Sequence, residues 1–271
     1  MSVSDRFTSG TPIGPRVDRG AGALRVLSYW ATVYRRTWRG SVVSGFGAPL
    51  LYLGSLGFGL GTLMPGGVAG VPYVLFVAPG VLTATAMQTA VGESTYPVMA
   101  AIKWQRQYHA MLASPVRITD IVLGHLLFIL LRSAVVSGTF LLVGAALGAF
   151  RSPWVILALP VAVLSSAAHA APVMAFSAHQ EDDGGFNLLY RLGAIPMFLF
   201  AGTFFPISQL PVAAQWLARA TPLWHATQVA RDLALGHPDA GSAAAHLGYL
   251  LLWAVVGFAA AVHYFRRRLR T

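Results

Sequence analysis

The residues that could do chemistry are few and scattered. Eight histidines and nine acidic residues share 271 positions, and cysteine is absent. No His-Glu-x-x-His run occurs, so two imidazoles are not offered to zinc from one helix face. Without cysteine there is no disulfide, no thiolate metal site and no cysteine nucleophile. A serine hydrolase would need Ser133, Ser165 or Ser166 facing His125 or His169, and their spacing favours no such pairing. His179 with Glu181, Asp182 and Asp183 reads as a solvated loop. The single lysine, Lys103, stands between Ile102 and Trp104. A phosphate-binding loop needs Gly-Lys-Ser/Thr there, so the chain has no ATP-binding motif of that kind. No catalytic residue, no metal ligand and no bound cofactor is assigned.

Two ionisable residues stand out by position. Glu93 ends a run of 53 uncharged residues, 40–92. Arg132 sits about eleven positions into a long apolar segment, where a charge costs about 2.5–3.5 kcal/mol on insertion scales. Arg132 either lines a path, meeting an anionic substrate group or Glu93, or it snorkels or forms a structural pair between packed helices. Both readings stand at this point.

The elements that must carry these residues are membrane helices. The chain is 56% hydrophobic and only 10% charged, against roughly 25% charged in an average soluble domain. That apolar excess has no place in water. A span needs about 20 residues, and the sequence predicts an all-α protein with six. They run near Val42–Leu63, Pro72–Pro97, Asp120–Phe150, Trp154–Ala178, Phe186–Phe205 and Ala243–Phe265. The first is glycine-rich, which suits close helix packing in lipid. Pro79-Gly80 predicts a kink in the second. Residues 1–20 read as a flexible cytosolic tail with no secretory signal. Residues 21–39 read as an amphipathic interface helix, with the cytosolic end of a long first span as the alternative. Leu24, Leu27, Ala31, Tyr34 and Trp38 form its apolar face, with Trp and Tyr rings at headgroup level. Residues 211–220 and 223–236 form two short helical patterns too short to cross, and suit a re-entrant hairpin within 206–242.

The net charge of +10 fixes the orientation. With both termini inside, 15 of the 19 basic residues are cytosolic, as the positive-inside rule requires. Arg151, Arg219 and Arg231 remain outside. The expected location is a cell membrane, with lipid as a partner and no nucleic acid. No internal repeat is visible, which weakens an inverted-repeat carrier.

The most informative segment is cytosolic, 98–117. Bundle connections usually take about 2–8 residues, and this one is longer and aromatic. Trp104, Tyr108, Met111 and Leu112 gain by docking on something, either the membrane surface or a soluble subunit.

This segment resembles the coupling loop of ABC-2 type exporter permeases, in the nodulation-factor and antibiotic-export branch. Glu93, Thr95-Tyr96, Lys103, Arg106, Leu112-Ala113-Ser114-Pro115 and Gly124 carry the resemblance. His125 departs from the pattern, since related chains often hold an acid there. A second match runs from Phe200 to Pro211 and on through Ala220–His225. The likeness extends over roughly 21–268 and implies a place in a bacterial plasma (inner) membrane. It implies a transmembrane domain over 40–271 that dimerises with a second permease, the same or a sister chain. It also implies two copies of a separate ABC ATPase, which would hold ATP and Mg. Lys103, Trp104, Arg106, Tyr108, His109, Met111, Leu112, Ser114 and Pro115 would then form the ATPase-coupling surface. Glu93, Arg132, Phe204, Phe205 and Trp224 are candidates for the substrate path. The cargo would be drug-like, lipid-linked or an oligosaccharide. Two other classes stay open: a membrane-embedded enzyme acting on lipid or peptide, and an ion-coupled carrier. The enzyme would turn over without nucleotide, and the carrier would want several ionisable groups at midplane.

Overall fold

The computed structural model describes residues 21–68 and 70–270, except the side chains of 37–46, 48, 49 and 58. The expected tail, 1–20, lies outside the described residues. Helix α1 (Ala21–Tyr52) continues through a π-helical stretch, Leu53–Leu60, to Thr62. Helix α2 (Tyr73–Ser94) carries Pro79 inside it and breaks at Thr95. Helix α3 (Tyr96–Met99) runs on as a π turn, Ala100–Trp104, and α4 (Gln107–Leu112) follows. Then come α5 (Ile118–Ala146), a 3-10 turn Pro153–Leu157, and α6 (Ala158–His179). Helix α7 (Gly184–Leu188) joins α8 (Ile195–Phe200) through a π segment, Leu189–Ala194. Two short helices, α9 (Val212–Arg219) and α10 (Pro222–Leu235), precede the long α11 (Ala240–Leu269).

Four of these helical runs are long and apolar enough to cross a membrane: Tyr73–Trp104, Ile118–Ala146, Pro153–His179 and Ala240–Leu269. They match the second, third, fourth and sixth expected spans. The side chains of the first expected span lie partly outside the described residues. The fifth is shorter than expected. Its helix stops at Phe200 because the chain turns at Ala201 and Gly202, where φ is +81°. Only glycine takes that conformation without strain.

The expected boundary between an interface helix and the first span is absent from the backbone. Nothing in Arg39-Gly40-Ser41 forces a stop, since one interior glycine costs about 1 kcal/mol. The apolar face also differs from the expected one. Ala23, Val26 and Trp30 are buried, whereas Leu24 is exposed. Trp30, outside the expected apolar face, is packed on Phe128 and His125 of α5, while the side chain of Trp38 lies outside the described residues. The two helices approach at Gly124, where an added Cβ would lie 2.6 Å from the Ala23 carbonyl oxygen.

Helix α2 forms the centre. It is hydrophobic on all sides, as a helix enclosed by others must be, and 83% of its most apolar window is buried. Serines tie α6 to it: Ser166 Oγ donates to the Ala86 carbonyl and Ser177 Oγ to the Ser94 carbonyl. Helix α11 lies on α6 at Gly257, whose missing side chain admits Pro172. The expected packing role of the glycines in the first span holds at Gly57 against Val74, but Gly47 and Gly54 meet nothing.

The core divides along the long axis. One cluster gathers Trp30, Ile102, Tyr108, Ile121, Phe265 and Leu269. Another gathers Leu53, Tyr73, Phe140, Ala158, Val229 and Leu250. The segment 98–117 therefore shares one pole with the C-terminal arginines. The α1–α2 turn, the α5–α6 turn and the C-terminal end of α10 share the other.

Candidate coupling segment and polar seam

Segment 98–117 is not one helix broken only at Pro115. It is also interrupted at Gln105 and Arg106, where Arg106 takes φ +52°. It is the only non-glycine residue with positive φ among the described residues. Such a conformation costs a β-carbon residue about 1–2 kcal/mol. Lys103, Trp104, Arg106, Ser114 and Pro115 are exposed, and His109, Met111 and Leu112 are partly exposed. Trp104 is 55% exposed, which is unusual for so large a ring. Lys103, Arg106 and His109 line a recess of about 210 Å³ with Ile102 and Arg268 of α11. Lys103 Nζ also donates to the Glu181 carbonyl at 2.8 Å.

Tyr108 departs from the expectation. It was to line an outer contact, yet it is wholly buried. The helical turn points it inward, between Trp30, His125 and Phe265. Its hydroxyl hydrogen-bonds His125 Nδ1 at 2.5 Å. Burial pushes the Tyr108 phenol well above its ordinary range, so it stays protonated and neutral. Sequence spacing could not reveal Trp30 or Phe265 as partners, because they come from α1 and α11.

Glu93 and Arg132 do meet. Arg132 Nη1 donates to Glu93 Oε1 in an ion pair, and the guanidinium lies 5.0 Å from the centre of the Tyr34 ring. Nearby, Tyr190 OH is 3.3 Å from Thr95 Oγ1 at the break after α2. Phe204, Phe205 and Trp224 are not brought to this pair. Phe204 packs on Phe198, Phe205 on Phe200, and Trp224 on His225 and His246. An apolar recess of about 300 Å³ lies between the α7–α8 helix and α9, lined by Leu192, Pro196, Phe200 and Leu217 among others.

The hydrolase geometry is not assembled. Ser133 Oγ bonds Ser166 Oγ, and His169 Nδ1 bonds the backbone carbonyl of Ser165. His125 bonds Tyr108. No serine hydroxyl faces a histidine nitrogen in these pairs. Among the described residues no group of three or more metal-ligating side chains occurs.

Arg231, expected as an exterior charge, is buried against α2. Its guanidinium donates to the carbonyls of Phe76 and Gly202 and lies 3.9 Å from the Phe76 ring centre. Thr227 meets Thr83 at 2.9 Å, and Leu223 packs with Ala84 and Met87. Helix α10 thus begins beside the middle of α2.

A family description decides among the readings. The model of the ABC-2 type transporter membrane family matches residues 26–235. The chain belongs to that family. Its similarity to individual members is also extensive. It is 34% identical to Nodulation protein J of Rhizobium leguminosarum bv. trifolii, over 89% of this chain and 94% of the relative. It is 35% identical to Nodulation protein J of Rhizobium meliloti (strain 1021), with the same shares of the two chains. The family assignment and the apolar helices make this a bacterial membrane transport protein.

Proposed function

We propose that this chain is the permease subunit of an ATP-driven exporter, driven by a separate ABC ATPase that docks on 98–115. One observation carries the reading: Lys103, Trp104, Arg106 and Ser114 are presented outward at the pole that also holds Arg266, Arg267 and Arg268. That charge marks the pole as cytosolic under the positive-inside rule. The chain then crosses six times, with both termini inside. The α9–α10 pair is re-entrant, a reading supported by the start of α10 beside mid-α2. Two permeases pair, and each engages one ATPase holding ATP and Mg. The cargo is amphipathic, lipid-linked or an oligosaccharide; the apolar recess beside α9 suits its lipid portion.

The test is affinity purification of the full chain from its native membrane in mild detergent, followed by assays of Mg-ATP hydrolysis and export. An ABC-class ATPase should co-purify. In Arg106→Glu/Leu112→Ser, insertion should persist while the co-purified ATPase falls at least about tenfold, which is the loss of about 1.4 kcal/mol of contact. Undiminished co-purification and export in that variant would sink the assignment.

A further inference from the structure

Helix α4 is held in an unusual way. It is six residues long, and bends interrupt the chain on both sides, at Arg106 before it and at Ala113–Pro115 after it. Its ties to the spans through the backbone therefore pass through non-helical turns on both sides. Of its side chains only Tyr108 is fully buried. Tyr108 reaches three elements at once: Trp30 of α1, His125 of α5 and Phe265 of α11. Its one directional tie is the hydroxyl bond to His125 Nδ1. His125 is itself fully buried, and its other nitrogen has no hydrogen-bond partner. The pair is therefore a single isolated link, not one strand of a redundant network. Broken, it would strand two buried polar atoms, which is why such a bond resists separation more than a surface bond does.

We propose that Tyr108 and His125 form the pin through which displacement of α4 moves α1, α5 and α11 together. This rests on the ATPase docking at 98–115. Both are positioning residues, and neither touches cargo or nucleotide. An imidazole at 125 suits the pin, because a neutral ring nitrogen pairs with a phenol without adding a buried charge. It also divides the work on α4. The exposed face receives the motor, and Tyr108, the one fully buried side chain, adds a directional bond to the apolar contacts of Met111 and Leu112 with the core.

The test uses the full chain with its co-purified ATPase, reconstituted in liposomes. Transport per ATP hydrolysed is the readout, with thermal melting and ATPase co-purification measured alongside. Tyr108→Phe keeps the ring and removes only the hydroxyl. It should leave co-purification unchanged and lower transport per ATP about fivefold, the worth of one net hydrogen bond, by more than any accompanying fall in melting temperature accounts for. His125→Leu should do the same. His125→Asn, whose side-chain oxygen can stand near the Nδ1 position, should retain the ratio within about twofold. An unchanged ratio in Tyr108→Phe would refute the pin while leaving the docking reading intact. A ratio that falls only in step with melting would also refute it, since that reports packing. If no ATPase accompanies the unmodified chain, the docking reading fails and the pin fails with it.

Discussion

Breaking the Glu93–Arg132 pair offers the sharpest measurement of what lies inside the bundle. The two side chains are 20% and 21% exposed, so the pair is neither a surface bridge nor fully enclosed. Exposed pairs contribute about 0–1 kcal/mol, and removing one partner of a buried pair costs about 3–5 kcal/mol. Four-fifths burial sets the expected loss at about 2–3 kcal/mol for Glu93→Gln, which leaves the guanidinium without its carboxylate. Arg132→Met keeps the length of the stem. It loses the pair and also the contact with the Tyr34 ring, worth about 0.5–2 kcal/mol. The double variant strands no charge, so its cost should fall short of the sum by about 2 kcal/mol. Equilibrium unfolding of the full chain in mixed detergent micelles reads the cycle. Strict additivity of the two single variants would refute a coupled pair. Transport kinetics separate the remaining alternative. If Arg132 also serves an anionic group on the cargo, Glu93→Gln should lower the transport KM and Arg132→Met should raise it.

Two further outcomes follow from the packing. Gly257→Val puts a side chain where even a Cβ would sit 2.5 Å from Pro172 Cδ; unfolding in detergent should show a loss of about 1–3 kcal/mol, as overpacking does. Acidification should loosen α10. His225 Nε2–H donates to the Arg219 carbonyl, so its Nδ1 must accept from His246 Nδ1 across 2.7 Å, and an added proton would set two N–H groups face to face. Burial first, then the nearby His246 charge, hold the His225 pKa below its ordinary 6.5, against the opposing carbonyl bond. The unfolded segment therefore takes up the proton more readily, and this contribution is present above about pH 6.5 and fades as pH falls below it. Asp232, raised by burial, acts in the opposite sense closer to the carboxylate range. Limited proteolysis within 206–242 should quicken between about pH 7 and pH 5.5, and His225→Gln should flatten that dependence.

The membrane class was legible from composition, because the length of uncharged sequence is a one-dimensional quantity. The second, third, fourth and sixth spans and both short helices of 206–242 fall where hydropathy and proline positions put them. So does the family, whose motifs are local: Thr95-Tyr96, Leu112-Ala113-Ser114-Pro115 and Phe200–Pro211 each lie within a few turns. Other features were not local, and only the tertiary structure decided them. Tyr108 looked like a surface ring because its neighbours in sequence are polar; its neighbours in space come from α1, α5 and α11. Arg231 looked exterior because 206–242 is punctuated by proline, yet it bonds two carbonyls against α2. The buried face of α1 shifted from Leu24 to Ala23, Val26 and Trp30, because Gly124 across from it determines which side can approach. Glu93 and Arg132 could be paired on paper, since opposite charges in lipid seek each other. Whether α2 and α5 come close enough is a property of packing, and there the sequence carries no measure of distance.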